Sequence, residues 1–194
     1  MSIAKNIRGL VFSALFAALF IVLSFVKITL GFSAVPITLQ GLGLMLAGGF
    51  LGARYGFYSI FTVVLLTFLG LPLLHGQGGF MLVFGPTGGF IWMFPFAALF
   101  IGYFSNKVRS TNKTVSFILL FIIMEIGGLL VYITGVPWLA HVQHISFSKA
   151  MASGCIPFLL PDVLKALVAA GIVSALRSSF SLKPSIASKD ALQS

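Results

Sequence analysis

The chain has 194 residues, 59% hydrophobic and only 8% charged, with a mean hydropathy of +1.12. Soluble domains run near 25% charged, so this composition excludes a soluble fold and reads as an integral membrane protein. A formal charge of +9, from 12 Lys and Arg against 3 acids, would suggest nucleic acid in a soluble chain. Here the basic residues sit at the ends of apolar segments, where membrane topology accounts for them.

Six segments are long enough to be spans or near-spans: roughly 9–26, 36–51, 53–71, 88–104, 115–134 and 152–176. The expected fold is all-α, a bundle of six transmembrane helices forming one domain over 1–182. The polar stretch 183–194 is expected to be a disordered cytoplasmic tail. The first segment is too long for a signal-peptide core and reads as a retained span. The second is short, and its Gly-Leu-Gly and Ala-Gly-Gly steps suggest close packing or an irregular start.

With the N-terminus inside, Lys5, Arg8, Arg54, Lys107, Arg109, Lys113, Arg177, Lys183 and Lys189 fall on the cytoplasmic side, and only Lys27 and Lys149 fall outside. That bias favours six spans over five, with both ends inside. The outer connections, 29–36, 72–87 and 135–151, are richer in Gly, Pro and aromatics than the inner turns. Non-helical backbone at membrane depth survives only where protein or a cavity covers it, so a ligand is expected there, under a lid.

Several residues carry candidate chemistry. Asp162 and Lys165, in Pro161-Asp162-Val163-Leu164-Lys165, lie three apart on one helix face in an apolar segment. A charge at bilayer depth costs at least ~2.5–3.5 kcal/mol, so it faces a cavity or a partner. The pair reads either as self-neutralising packing or as a buried site with one acceptor and one strong donor. Glu125 is the other mid-membrane charge, a structural partner for Lys165 or a proton-coupled group. Gln40, one turn into Val35-Pro36-Ile37-Thr38-Leu39-Gln40, is a buried amide that needs partners, from a helix or from a ligand. Ala14 and Ala18 form a small-xxx-small pair, read evenly as bundle packing or as an interface.

Other motifs are excluded. The glycine-rich run from Gly70 to Phe90 holds no G-x-x-x-x-G-K-[ST], and no other ATP-binding motif appears, so ATP hydrolysis is not expected of this chain. Cys155 is alone, which leaves no disulfide or multi-cysteine metal site. His141 and His144 lack a third ligand and read as interfacial polar residues, with no metal expected. No Gly-x-Ser-x-Gly elbow supports an enzyme. A self-sufficient proton-coupled carrier using Glu125 and Asp162 ranks lower, because the chain shows no internal repeat.

Taken together, VPITLQ (35–40), GGFLGARYG (48–56), the run 69–79 with GPTGGF (85–90), and PDVLK (161–165) resemble the BioY family, the biotin-specific S components of energy-coupling factor (ECF) transporters. The resemblance covers nearly the whole chain. It implies a six-helix subunit of the plasma membrane that captures biotin near the outer face. It also implies a transmembrane coupling protein and two cytoplasmic ATPases as partners, and toppling of the subunit to release substrate. Biotin is then the transported ligand, and no cofactor is expected. An S component for another small vitamin is the nearest alternative.

By the same resemblance, Ala14 and Ala18 dock the coupling protein. Asp162 accepts from a ureido N–H and Lys165 donates to the ureido carbonyl. Gln77 lies where the family places a loop residue against that ring. Gln40 and the backbone at Gly88 and Gly89 are second contacts, and Phe32, Phe90 and Trp92 wall the bicycle. The family's fourth span usually begins GPTGGY. Phe90 here removes a hydroxyl, and Trp92 with Met93 is bulkier than usual, which is expected to narrow the pocket.

Overall fold

The computed structural model describes residues 3–110 and 112–177; the expected tail over 183–194 lies outside the described residues. Helix α1 (Ile3–Phe25) leads into a strap of two short antiparallel strands, β1 (Lys27–Ile28) and β2 (Ile37–Thr38). Then come α2 (Gln40–Phe68), a one-turn α3 (Phe80–Val83), α4 (Gly88–Ser105), α5 (Lys113–Val142), α6 (Phe147–Gly154) and α7 (Ile156–Leu176).

Five stretches of helix are long and apolar enough to cross a membrane, and α2 is one of them. Its 29 residues are not one straight rod. Gly52 has φ +75°, a conformation that L side chains rarely adopt, and the helix turns back there. The reversal is visible in the packing. A Cβ on Gly56 would stand 3.2 Å from the Ala47 carbonyl oxygen, whereas nine residues of straight helix separate their ends by about 13 Å. Gln40, the first residue of α2, and His75, seven residues past its end, also meet, with His75 Nε2 2.9 Å from Gln40 Oε1. So α2 supplies two antiparallel limbs, Gln40 to Leu51 and Ala53 to Phe68, and the bundle has six crossing segments.

The limbs of α2 pack on α1, α4, α5 and α7, and α4 is flanked by α2 and α5. Glycines set the distances. A Cβ on Gly48 would press within 2.8 Å of the Ala98 carbonyl, and one on Gly102 would overlap the Gly52–Ala53 backbone. Interiors of this kind associate by close van der Waals packing, because lipid is as apolar as the side chains. Phe20, Leu44, Met45, Ile60, Ile101, Leu120 and Met124 fill the core.

The segment over 135–151 departs from the expected outer loop. Helix α5 runs on through Gly135 and Pro137 to Val142, and α6 follows after a brief turn. Gly135 reads as a breaker, yet here it makes room for the Phe90 ring. Pro137 forfeits one hydrogen bond but does not end the helix, and the next residue, Trp138, anchors that turn by donating from Nε1 to the Gly85 carbonyl at 2.9 Å.

Candidate functional site

A cavity opens at the strap end of the bundle, between β2, the first limb of α2, α4, α5 and α7, with His75 of the α2–α3 connection at its rim. Its walls are mostly apolar: Leu44, Met45, Ile91, Phe94, Val131 and Phe158. Its polar groups converge from several elements, the arrangement expected of a small-molecule site.

Asp162 and Lys165 come from the second and third turns of α7, where spacing three puts them on one face. Lys165 Nζ donates to Asp162 Oδ1 at 2.8 Å, and Tyr132 of α5 donates its hydroxyl to Oδ2. Both charged side chains are buried, and the pair lines the cavity. Gly41 leaves the space for the lysine stem, since a Cβ there would already touch Lys165 Cδ at 3.4 Å. The cluster keeps spare capacity. Lys165 retains further N–H donors, and each carboxylate oxygen can accept more than once. A ligand that offers adjacent N–H donors and a carbonyl acceptor matches it.

Gln40 completes the polar lining. Thr38 Oγ1 donates to its Oε1 at 3.1 Å, and His75 Nε2 lies 2.9 Å from the same oxygen. The amide oxygen is thereby engaged, while Nε2 is buried without a partner among the described residues. A buried donor left free costs about 1–3 kcal/mol, so the donor suits a ligand acceptor.

His75 owes its place to a tight turn. Leu74 and Gln77 exchange both backbone hydrogen bonds, at 3.2 and 2.8 Å, and the two residues between them, His75 and Gly76, have φ of 57° and 75°. Two positive φ values are the mark of a type I′ turn, for which Gly is favoured at the second position. Burial, reinforced by Lys27, lowers the His75 pKa from 6.5 to about 4. The folded ring is thus neutral, and with Oε1 as acceptor Nε2 carries the hydrogen. Since the unfolded chain takes its proton near pH 6.5, this group's contribution is complete above that pH and is lost as pH falls towards 4. Thermal melts in detergent should show the wild type losing stability across that interval more steeply than His75→Gln; parallel profiles would remove His75 from this role.

The structure brings Gln40, Phe90, Asp162 and Lys165 to one cavity. It places the remaining expected residues elsewhere. Gln77 borders a second, outer recess beside the first. Gly88 and Gly89 are buried against Trp138, and Gly89 O accepts from Thr134 Oγ1 at 2.8 Å, so they serve the α4–α5 contact. Phe32 lies on the surface, 67% exposed. Trp92 joins Phe68 and Phe84 in an outward aromatic group, donating to the Val83 carbonyl at 3.1 Å. Neither Trp92 nor Met93 reaches the cavity wall, so their bulk does not narrow it. Glu125 stands off the cavity, and the partner of Lys165 is Asp162. Ala14 and Ala18 are exposed on α1, among Leu10, Val11, Leu15 and Val22.

Sequence reasoning missed Tyr132 and His75. Tyr132 is the only tyrosine between Lys113 and Val142, a hydroxyl in an aliphatic span and therefore a readable signal. His75 gave none beyond the His-Gly turn pair.

A helical bundle buried in lipid, with a cavity at one end and an ion pair in its wall, defines a membrane-embedded binding protein for a small polar molecule. The family model described as "BioY family" matches residues 1–182, and the chain belongs to that family. Among its relatives, the biotin transporter BioY of Rhizobium etli is 41% identical over 185 residues, covering 91% of this chain and 97% of the relative. The biotin transporter BioY of Lactococcus lactis is 35% identical, covering 89% and 92%. A crystal structure of the S component for biotin from an ECF-type ABC transporter superposes with a TM-score of 0.80 at 33% identity, covering 92% of this chain and 95% of that one. The chain is thus a multi-pass transporter subunit of the S-component type.

Proposed function

We propose that this chain captures biotin at the outer face of the plasma membrane and delivers it inward as the S component of an ECF-type ABC transporter. The observation that carries the reading is the buried Asp162–Lys165 pair, held by Tyr132 and opposite the free Gln40 amide, in an otherwise apolar cavity. Biotin's ureido ring offers two N–H donors to Asp162 and a carbonyl to Lys165 and Gln40. Its ring edges and alkyl chain suit Phe90, Phe94 and Phe158. Charged hydrogen bonds of this kind contribute about 1.5–3 kcal/mol each. Biotin is the transported ligand and the subunit needs no cofactor of its own.

With no ATP-binding motif in this chain, the energy comes from two cytoplasmic ATPases acting through a transmembrane coupling protein. The small exposed side chains of Ala14 and Ala18 suit close approach of that protein's helices. The strap end faces outward and both termini lie in the cytoplasm, which puts Arg8, Arg54, Lys107 and Arg109 inside.

The test is titration calorimetry of the purified protein in detergent. Saturable one-to-one binding of biotin, and not of other vitamins, is expected; a folded protein that ignores biotin but takes another vitamin would overturn the ligand. Docking has a separate signature. Ala14→Trp and Ala18→Trp should leave biotin affinity within about twofold yet abolish the uptake that depends on the coupling protein and ATPases, and undiminished uptake would move the interface elsewhere.

A further inference from the structure

The outer recess shares Pro36, His75 and Thr87 with the inner cavity, so the two are neighbouring chambers with one common wall. Their polar equipment differs. The inner chamber holds the only acid–base pair among the described residues. The outer one is bordered by Lys27, Thr29, Ser33 and Gln77, with no carboxylate.

Lys27 is held at this mouth by the backbone. It is paired across the strap with Thr38, whose hydroxyl bonds Gln40 in the inner chamber. Its Nζ is 3.5 Å from the His75 carbonyl, which steers the side chain across the opening. No acid neutralises it among the described residues. The side chains of Thr29 and Gln77 make no hydrogen bond among them either, which leaves a cation and two neutral polar groups around one recess.

We propose that this recess is a second subsite, taking the carboxylate tail of the ligand whose polar ring occupies the inner chamber, with Lys27 as its counter-charge. The assignment rests on the reading of the inner cavity as a biotin site. A ring held at Asp162 and Lys165 directs the alkyl chain towards the opening, since the opposite direction is closed by the packed core of Met45, Met124 and Leu120. The tail then emerges beside Lys27. Half-solvated, this contact sets preference among ligands that share a ring and differ in tail charge, and adds modestly to affinity.

The experiment compares biotin with biotinamide, its neutral-tailed analogue, on wild type, Lys27→Met and Lys27→Arg at low and high salt. Wild type should prefer the acid by roughly three- to tenfold at low salt, and less at high salt. Lys27→Met should bring the ratio close to one, chiefly by weakening acid binding, and Lys27→Arg should keep most of the preference. Retained biotinamide binding shows that the variant is folded. An unchanged ratio in Lys27→Met overturns the subsite, as it would if Lys27 merely met lipid phosphates. So does a wild type that never distinguishes acid from amide. If wild type binds neither compound, the biotin reading itself fails, and the subsite with it.

Discussion

Asp162→Ala is expected to abolish biotin binding and to lower the stability of the protein in detergent. The truncation leaves the Lys165 ammonium buried without its partner and the Tyr132 hydroxyl without its acceptor. Removing one member of a buried pair typically costs 3–5 kcal/mol, more than the pair itself is worth against an apolar replacement. Two further variants separate stability from recognition. Asp162→Asn keeps the shape and an acceptor for Tyr132 but loses the charge, and affinity should drop by at least about tenfold. Combining Asp162→Asn with Lys165→Met removes both charges, so the melting temperature should recover towards wild type while binding stays lost. Thermal melts and calorimetric titrations on the same preparations read the two effects. If biotin binds the doubly substituted protein as tightly as wild type, the ureido contacts lie elsewhere.

Gly102→Ala is expected to be strongly destabilising for a single added methyl. Its Cβ would overlap the Gly52 carbonyl carbon and the Ala53 nitrogen, and backbone atoms cannot rotate aside as a side chain can. Relief requires α4 to move away from the bend in α2, with loss of contacts along both helices. Overpacking costs typically 1–3 kcal/mol even where neighbours can adjust, and here they cannot. Gly52→Ala should also destabilise, for a different reason: φ of +75° disfavours any Cβ, and Asn106 is packed against the site. Gly171→Ala supplies the contrast, because the nearest atom beyond its own helix is a Phe117 ring carbon at 3.9 Å and the position is helical. That variant should melt at or slightly above the wild-type temperature, as Ala is the better helix former. Melting temperatures that do not separate Gly102→Ala from Gly171→Ala would refute the packing account.

The sequence made the crossing segments legible because hydrocarbon imposes one rule on every residue of a span. Asp162 and Lys165 stood out by the same rule: two charges at helical spacing in apolar surroundings need an explanation. Gln40 was visible on weaker grounds, as an amide inside a span. The partners of these groups were less legible. Tyr132 reaches Asp162 from 30 residues away, and His75 reaches Gln40 from 35 residues away, through a turn whose geometry depends on local φ values. Gly88 and Gly89 misled for a related reason. Glycine permits close approach by a ligand or by a helix, and only the position of Trp138 decides which. Gly135 and Pro137 looked like a helix stop, but the Phe90 ring and the Trp138 bond give that stretch tertiary reasons to continue as helix.

The short first limb of α2 bears on how the protein enters the membrane. From Gln40 to Leu51 it is 12 residues, about 18 Å of helix, against the ~30 Å of a hydrocarbon core. Almost all of it is buried by the rest of the chain, so the mature protein never asks lipid to accommodate the shortfall. The nascent chain has no such shelter. A segment this short, with a glutamine at one end and four glycines along its length, cannot be threaded through the insertion machinery as an independent span. Both limbs of α2 must therefore enter together as a hairpin. The first limb reaches its final depth once α4, still to be synthesised at that point, closes over the Gly52 bend.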